Sequence, residues 1–261
     1  MDNIWRWENW EGLPYLTCSL LPDFKHGFFT KAFYPRSPED MVRVLDPSAK
    51  VYRVKQVHGK DVLFPKQIKT QKEADGIISD RDKQAVWVAS ADCTPVLIGD
   101  VSTFGVAAVH AGWRGTAKRI VPEAIRNFID RGSSLNNLRI AMGPAISGKV
   151  YQVSTEVAAE VGQSIFEGAA EVGQSIFEGK DVLKRMWEIE ESPLSEDRQP
   201  DKVRIDIRRV NEIQLEKLGI KKEHIAIAPM CTFGQPEFFF SYRRTKVSKV
   251  QWSGIVSGDV R

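Results

Sequence analysis

Six short apolar or alternating runs occupy much of the first 110 positions. They are HGFFTKAF (26–33), VYRVKQVH (51–58), DVLF (61–64), AVWVAS (85–90), TPVLIG (94–99) and FGVAAVH (104–110). Gly, Pro and Asp separate them, so each reads as a β-strand. From Thr116 the period changes. Ile120, Val121, Ala124, Ile125, Phe128 and Ile129 fall on one face of a helix, and Gly132 is its stop. Pro122 sits early in that helix and is expected to cost one backbone bond or to tilt the first turn.

LRIAMGPAI (138–146) reads as strand then turn, and a second helix starts near Ser154. The chain becomes polar over 182–204, where SPLSEDRQPDK (192–202) reads as an exposed loop. Asp206 is the cap of a third helix, with Ile207, Val210, Ile213 and Leu218 on its face and Gly219 at its end. HIAIAP (224–229), PEFFFSY (236–242) and VQWSGIV (250–256) read as closing strands. This order predicts one α/β (α+β) domain, a mixed sheet with helix layers over residues 1–261.

AAEVGQSIFEG occurs twice in tandem, at 158–168 and 169–179. Eleven residues make close to three helical turns, so a copy of that length keeps the same face inward. A duplication that lengthens or loops out a surface helix is the expectation. A repeat architecture would need three or more units.

Composition adds limits rather than a function. The 261 residues are 42% hydrophobic and 27% charged, with a net charge of +3 from 37 basic and 34 acidic side chains. That near-balance gives no electrostatic case for a nucleic-acid or membrane partner. The basic run RRTKVSK (243–249) is short and reads as a solvated loop. Cys18, Cys93 and Cys231 are widely spaced and odd in number, which is not a disulfide framework. The N-terminus lacks a basic-then-apolar signal pattern, and no run approaches a membrane span. A soluble, cytoplasmic protein is expected.

The candidate chemistry lies at three strand ends. VYRVKQV runs into His58, AVWVASAD into Cys93 and FGVAAV into His110, in a chain with only four histidines and three cysteines. Two imidazoles and a thiolate would hold a tetrahedral Zn²⁺ with its fourth position open. Taken singly each residue is weak evidence, because a strand-end His often serves structure and Cys packs as a small hydrophobe. Their neighbours strengthen the set. HAGWRGT places two glycines and Arg114 beside His110.

KQVHG (55–59), ADGIIS (74–79), ADCTPVLI (91–98), VHAGWRGT (109–116), GPAISG with YQV (143–153) and FFSYRR (239–244) resemble the YfiH-like family. That family was long called multicopper polyphenol oxidoreductase, or laccase-like, and is described as purine nucleoside phosphorylase with adenosine deaminase activity. The resemblance spans about residues 27–256. It implies a four-layer α/β/β/α sandwich, like the catalytic domain of cytotoxic necrotizing factor. It implies zinc on His58, Cys93 and His110, and places Cys231 and Arg243–Arg244 near the same pocket. Purine nucleosides and phosphate are the implied small-molecule partners. The stretch AFYPRSPED, Ala145 and TKVSKVQ depart from the family's pattern, and the metal-binding residues do not.

Roles follow as expectations. Cys93, His110 and Asp92 are the candidate catalytic residues. Gln56, Arg114, Tyr242, Arg243 and Arg244 are the candidate substrate-binding residues, with Trp113 or Tyr242 available to stack on a purine. Known zinc deaminases use a carboxylate outside the ligand set. The H-x-E signature is absent here, and Asp92 and Asp75 are the nearest acids; either could serve or could merely cap a turn. A multicopper centre needs roughly ten histidines, and the chain has four. A single Cu²⁺ could still occupy the His2Cys site, as a copper-binding polyphenol oxidase would require. A different alternative makes Cys93 a nucleophile and His110 its base, in a cysteine hydrolase or amidase.

Overall fold

The computed structural model describes residues 4–68, 72–166 and 179–258. A hairpin opens the fold, β1 (Trp5–Trp10) and β2 (Leu13–Cys18), followed by β3 (His26–Phe29). Helix α1 (Pro38–Leu45) precedes β4 (Lys50–Tyr52), β5 (Val62–Leu63) and β6 (Gly76–Ile78). Three longer strands follow, β7 (Gln84–Ser90), β8 (Thr94–Asp100) and β9 (Val106–Ala111), then α2 (Trp113–Ala117), α3 (Ile120–Ile129) and β10 (Leu138–Met142). Next come β11 (Gln152–Ser154), α4 (Thr155–Phe166), α5 (Gly179–Trp187), β12 (Leu194–Glu196), β13 (Lys202–Ile205) and α6 (Ile207–Lys217). The last elements are β14 (Ile225–Ile227), α7 (Tyr242–Thr245) and β15 (Gln251–Val256).

The strands form two six-stranded sheets, ordered β1-β2-β3-β15-β7-β4 and β14-β10-β8-β9-β6-β5, and a small sheet β11-β13-β12. Most neighbours are antiparallel, but β4–β7, β5–β6 and β10–β14 are parallel, so the large sheets are mixed. Strand alternation assigns each face its core. Val86 and Val88 of β7 pack with Leu97 of β8 and Ala108 of β9 in a shared cluster. Their neighbours Ala85 and Trp87 face the other way, onto Met41 and Val42 of α1. Val96 and Ile98 of β8 pack against Ile120, Ala124, Ile125 and Phe128 of α3. Burial on both faces is why β7, β8 and β9 read as continuous apolar runs.

Several expectations need correction. The strand from Val51 stops at Tyr52, so His58 lies on the loop between β4 and β5 rather than at a strand end. The helix expected from Thr116 is broken into α2 and α3 at Arg119, whose φ is 60°. Pro122 is the third residue of α3, where its missing N–H has no helical acceptor to lose, so it costs no bond. The expected loop 192–202 is largely the hairpin β12–β13. The polar stretch before it contains α5, which buries only Val182 and Met186 on one face. PEFFFSY is not a strand. It turns, with Phe238 and Phe239 donating to the Gln235 carbonyl, and ends in α7. Asp206 does cap α6, accepting from the Arg208 N–H, and Gly219 follows at φ +94°. The first copy of the repeat lies mainly in α4, whereas residues 167–178 of the two copies lie outside the described residues.

Candidate metal centre and cleft

Strand register brings the candidate ligands together. Pro95 pairs with His110 across β8 and β9. Cys93, just before β8, therefore lies beside the end of β9. Gly76 of β6 pairs with Val109, and the His110 N–H donates to the Asp75 carbonyl at 2.7 Å. This seats the buried Asp75 side chain next to His110.

Asp75 then places both histidines. Its Oδ1 accepts from the His58 N–H at 2.9 Å and from His110 Nδ1 at 2.9 Å. Its Oδ2 accepts from the Gly59 N–H at 2.7 Å and the Val57 N–H at 3.1 Å. An ionised carboxylate only accepts, so Nδ1 of His110 carries the proton and Nε2 is left for a metal. The three backbone donors hold residues 57–59 in a tight turn in which His58 has φ 58°, an uncommon conformation for a non-glycine residue.

The Cys93 Sγ and one nitrogen of each histidine lie within 4.8 Å of one another. The imidazole rings are 4.9 Å apart and inclined by 76°. A tetrahedral zinc site has ligand–ligand edges of about 3.3–3.6 Å from its bond lengths, so side-chain adjustments of about an ångström close the set. Gly112 makes room for it. A Cβ there would meet Cys93 Sγ at 2.8 Å and His58 Cδ2 at 3.2 Å.

Electrostatics favour the thiolate, the form that binds metal. Burial alone would raise the Cys93 thiol, but His110 and His58 outweigh it and bring it down to about 6. Burial opposes charge on His110, but the Cys93 thiolate and Asp75 hold it up at about 9, so a metal taking Nε2 would displace a proton from it. His26 and His224 lie elsewhere. His26 is buried in β3, bonded to the Cys18 N–H and the Phe24 carbonyl, and His224 sits on the turn before β14. Among the described residues His58, Cys93 and His110 are therefore the one His/Cys/Asp/Glu cluster with metal-ligand spacing.

The cluster opens into a cleft of about 710 Å³. Trp113, Arg114, Tyr151, Tyr242 and Arg243 line it, along with Gln56 and Asp92. Gln56 bonds both ways with the Ala89 backbone, at 2.8 and 2.7 Å, and so fixes the edge of β7. Asp92, at φ 101°, has both carboxylate oxygens engaged, by Thr232 Oγ1 at 2.7 Å and the Arg243 N–H at 2.7 Å. Arg244 is not on the cleft wall. Its guanidinium donates to the carbonyls of Thr232, Phe233 and Phe239 and braces that loop. Cys231 is also off the wall; its Sγ accepts from the Ser147 N–H at 3.4 Å. Tyr151 was not among the candidates, although YQV is part of a motif. Only the fold shows it beside the cluster.

Fold and site together define a mixed α/β protein with a candidate His2Cys metal centre at the floor of an open cleft. The chain belongs to the family described as multi-copper polyphenol oxidoreductase laccase, whose model matches residues 38–256. It is 51% identical over 264 residues to a Synechocystis protein named purine nucleoside phosphorylase slr1573, covering 98% of each. Over 203 residues it is 32% identical to Purine nucleoside phosphorylase YfiH of Shigella flexneri, covering 77% of this chain and 71% of that protein. The crystal structure of YlmD from Geobacillus stearothermophilus has the same fold, with a TM-score of 0.76, 20% identity and coverage of 97% and 99%.

Proposed function

We propose that this protein is a zinc-dependent purine nucleoside phosphorylase. Its substrates would be adenosine, inosine, guanosine or methylthioadenosine together with inorganic phosphate. The C1′–N9 bond breaks, the base leaves with the electron pair and gains a proton, and a phosphate oxygen bonds C1′. The products are free base and a ribose 1-phosphate, or its methylthio form. End-to-end identity of 51% to a protein named for that activity carries the reading.

The cleft chemistry supports it. Zinc on His58, Cys93 and His110 would supply a Lewis acid with one coordination position open. Copper, which binds such ligands more tightly, could take the same position. Asp75 orients the ligands, Trp113 and Tyr242 offer ring faces to a purine, and Arg114 and Arg243 offer positive charge. Adenosine deamination belongs to the same proposal as a lesser activity. A deaminase needs a carboxylate free to move a proton, and all oxygens of Asp75 and Asp92 are already engaged. Among the described residues no helix is long and apolar enough to cross a membrane. Cys18, Cys93 and Cys231 are unpaired, as fits a cytoplasmic enzyme.

One observation favours a second reading. Cys93, His110 and Asp75 are arranged as nucleophile, base and orienting acid, which is a hydrolase triad. Against it, a ring nitrogen of His58 also lies within 4.8 Å of the Cys93 sulfur, and a triad has no use for that second imidazole. Incubating the purified protein with adenosine, inosine and methylthioadenosine, with and without phosphate, tests the proposal. Free base appearing only with phosphate is the expected result. Inosine formed from adenosine without phosphate, and no free base under any condition, would refute it.

A further inference from the structure

The cleft wall above the metal cluster is positive. Its lining cations are Arg114, Arg243 and Lys249, and its one lining acid is Asp92. Asp92 spends its carboxylate on Thr232 and on the Arg243 backbone. The wall therefore carries more cationic donors than carboxylate oxygens to receive them.

The two arginines are held differently from Arg244. The Arg243 guanidinium lies 4.8 Å from the centre of the Tyr151 ring and spends one N–H on the Gln152 carbonyl at 2.9 Å. A guanidinium carries five N–H donors, so four remain. Arg114 lies 4.4 Å over the Trp113 ring, and its N–H groups have no hydrogen-bond partner among the described residues. Lys249 instead sits over the rings of Tyr34 and Phe240.

Tyr151 shares this cleft wall with both arginines. It lines the cleft and also a small cavity of about 30 Å³ against Cys93. Its hydroxyl has no hydrogen-bond partner among the described residues. A phenol carries one O–H donor, so this hydroxyl is available to an oxygen ligand.

We propose that Arg114, Arg243 and the Tyr151 hydroxyl form a subsite for a tetrahedral oxyanion, inorganic phosphate, with Asp92 as the positioning residue for Arg243. The proposal rests on the phosphorylase reading for its choice of anion. Two stacked guanidinium groups give charge-assisted donors in fixed planes, which suits phosphate oxygens. Asp92 sets the backbone from which Arg243 projects. It also adjoins Cys93, so one residue connects the anion wall to the metal floor.

The test is binding of inorganic phosphate alone to the zinc-loaded protein by isothermal calorimetry, with zinc content measured on each sample. Arg114→Gln and Arg243→Gln are expected to raise the phosphate Kd at least tenfold, and Tyr151→Phe several-fold, with zinc content unchanged. Asp92→Asn is expected to raise KM for phosphate while KM for the nucleoside stays within about twofold, a split that general loosening of the fold would not give. Phosphate affinity unchanged in both arginine variants would overturn the subsite, as would loss of zinc in each of them. Adenosine 5′-monophosphate binding saturably where inorganic phosphate does not would also overturn it. Phosphate binding through these residues without any phosphorolysis would retain the subsite and remove the phosphorylase reading.

Discussion

Asp75→Asn is the most informative single change in the site. The carboxylate accepts four hydrogen bonds, two on each oxygen. An amide keeps one oxygen and turns the other into a donor. If the NH2 replaces Oδ2, it faces the N–H groups of Val57 and Gly59. If it replaces Oδ1, it faces the His58 N–H and drives His110 to the tautomer whose Nε2 carries the proton, which cannot ligate metal. The first orientation leaves two donors without their acceptor and the second leaves one, at about 1–3 kcal/mol each when buried, or about 1–6 kcal/mol across the two cases. That is a large fraction of a domain's stability of about 5–15 kcal/mol. The metal should suffer as well, since removing such a supporting partner costs about 10–100-fold in affinity. Urea unfolding of the metal-free protein and zinc competition with a chromophoric chelator measure the two effects. Stability within about 0.5 kcal/mol of wild type, with zinc affinity within threefold, would refute the claim that Asp75 organises this centre.

Two further changes probe separate parts of the account. Gly112→Ala puts a methyl group 2.8 Å from Cys93 Sγ and 3.2 Å from His58 Cδ2. It should weaken zinc more than tenfold in the same competition assay while costing about 1–3 kcal/mol of stability, the usual range for overpacking. Burial holds His26 below its ordinary 6.5, with the Phe24 carbonyl opposing in part. The unfolded chain therefore takes up that proton first as pH falls. The stability contributed by neutral His26 is full above pH 6.5 and declines below it. The urea midpoint should drop between pH 7 and 5.5, and a His26→Gln variant should show a flatter slope over that range.

Sequence pattern reveals an element when burial is regular. Strands β7, β8 and β9 and helices α3 and α6 were visible because whole runs or whole faces are apolar. The β1–β2 hairpin was not, because Trp5 is the only fully buried residue of WRWENW and the strand is held mainly by pairing. PEFFFSY misled because three adjacent aromatic residues suggest a strand, whereas a turn packs Phe238 and Phe239 into the core edge. The three ligands were visible through their scarcity and flanking motifs. The work of Asp75 was not, since its partners lie 16–18 and 35 residues away. Arg243 and Arg244 are adjacent and chemically alike, and only the carbonyls around Arg244 separate a cleft residue from a brace.

Zinc content and phosphorolysis, measured on the same samples of wild type and Cys93→Ser, test the central claim most directly. The account predicts about one zinc per chain and phosphate-dependent release of free base in the wild type. Both should be lost together in Cys93→Ser, with the fold retained by circular dichroism. Full phosphorolysis by metal-free wild type, or by Cys93→Ser, would contradict it.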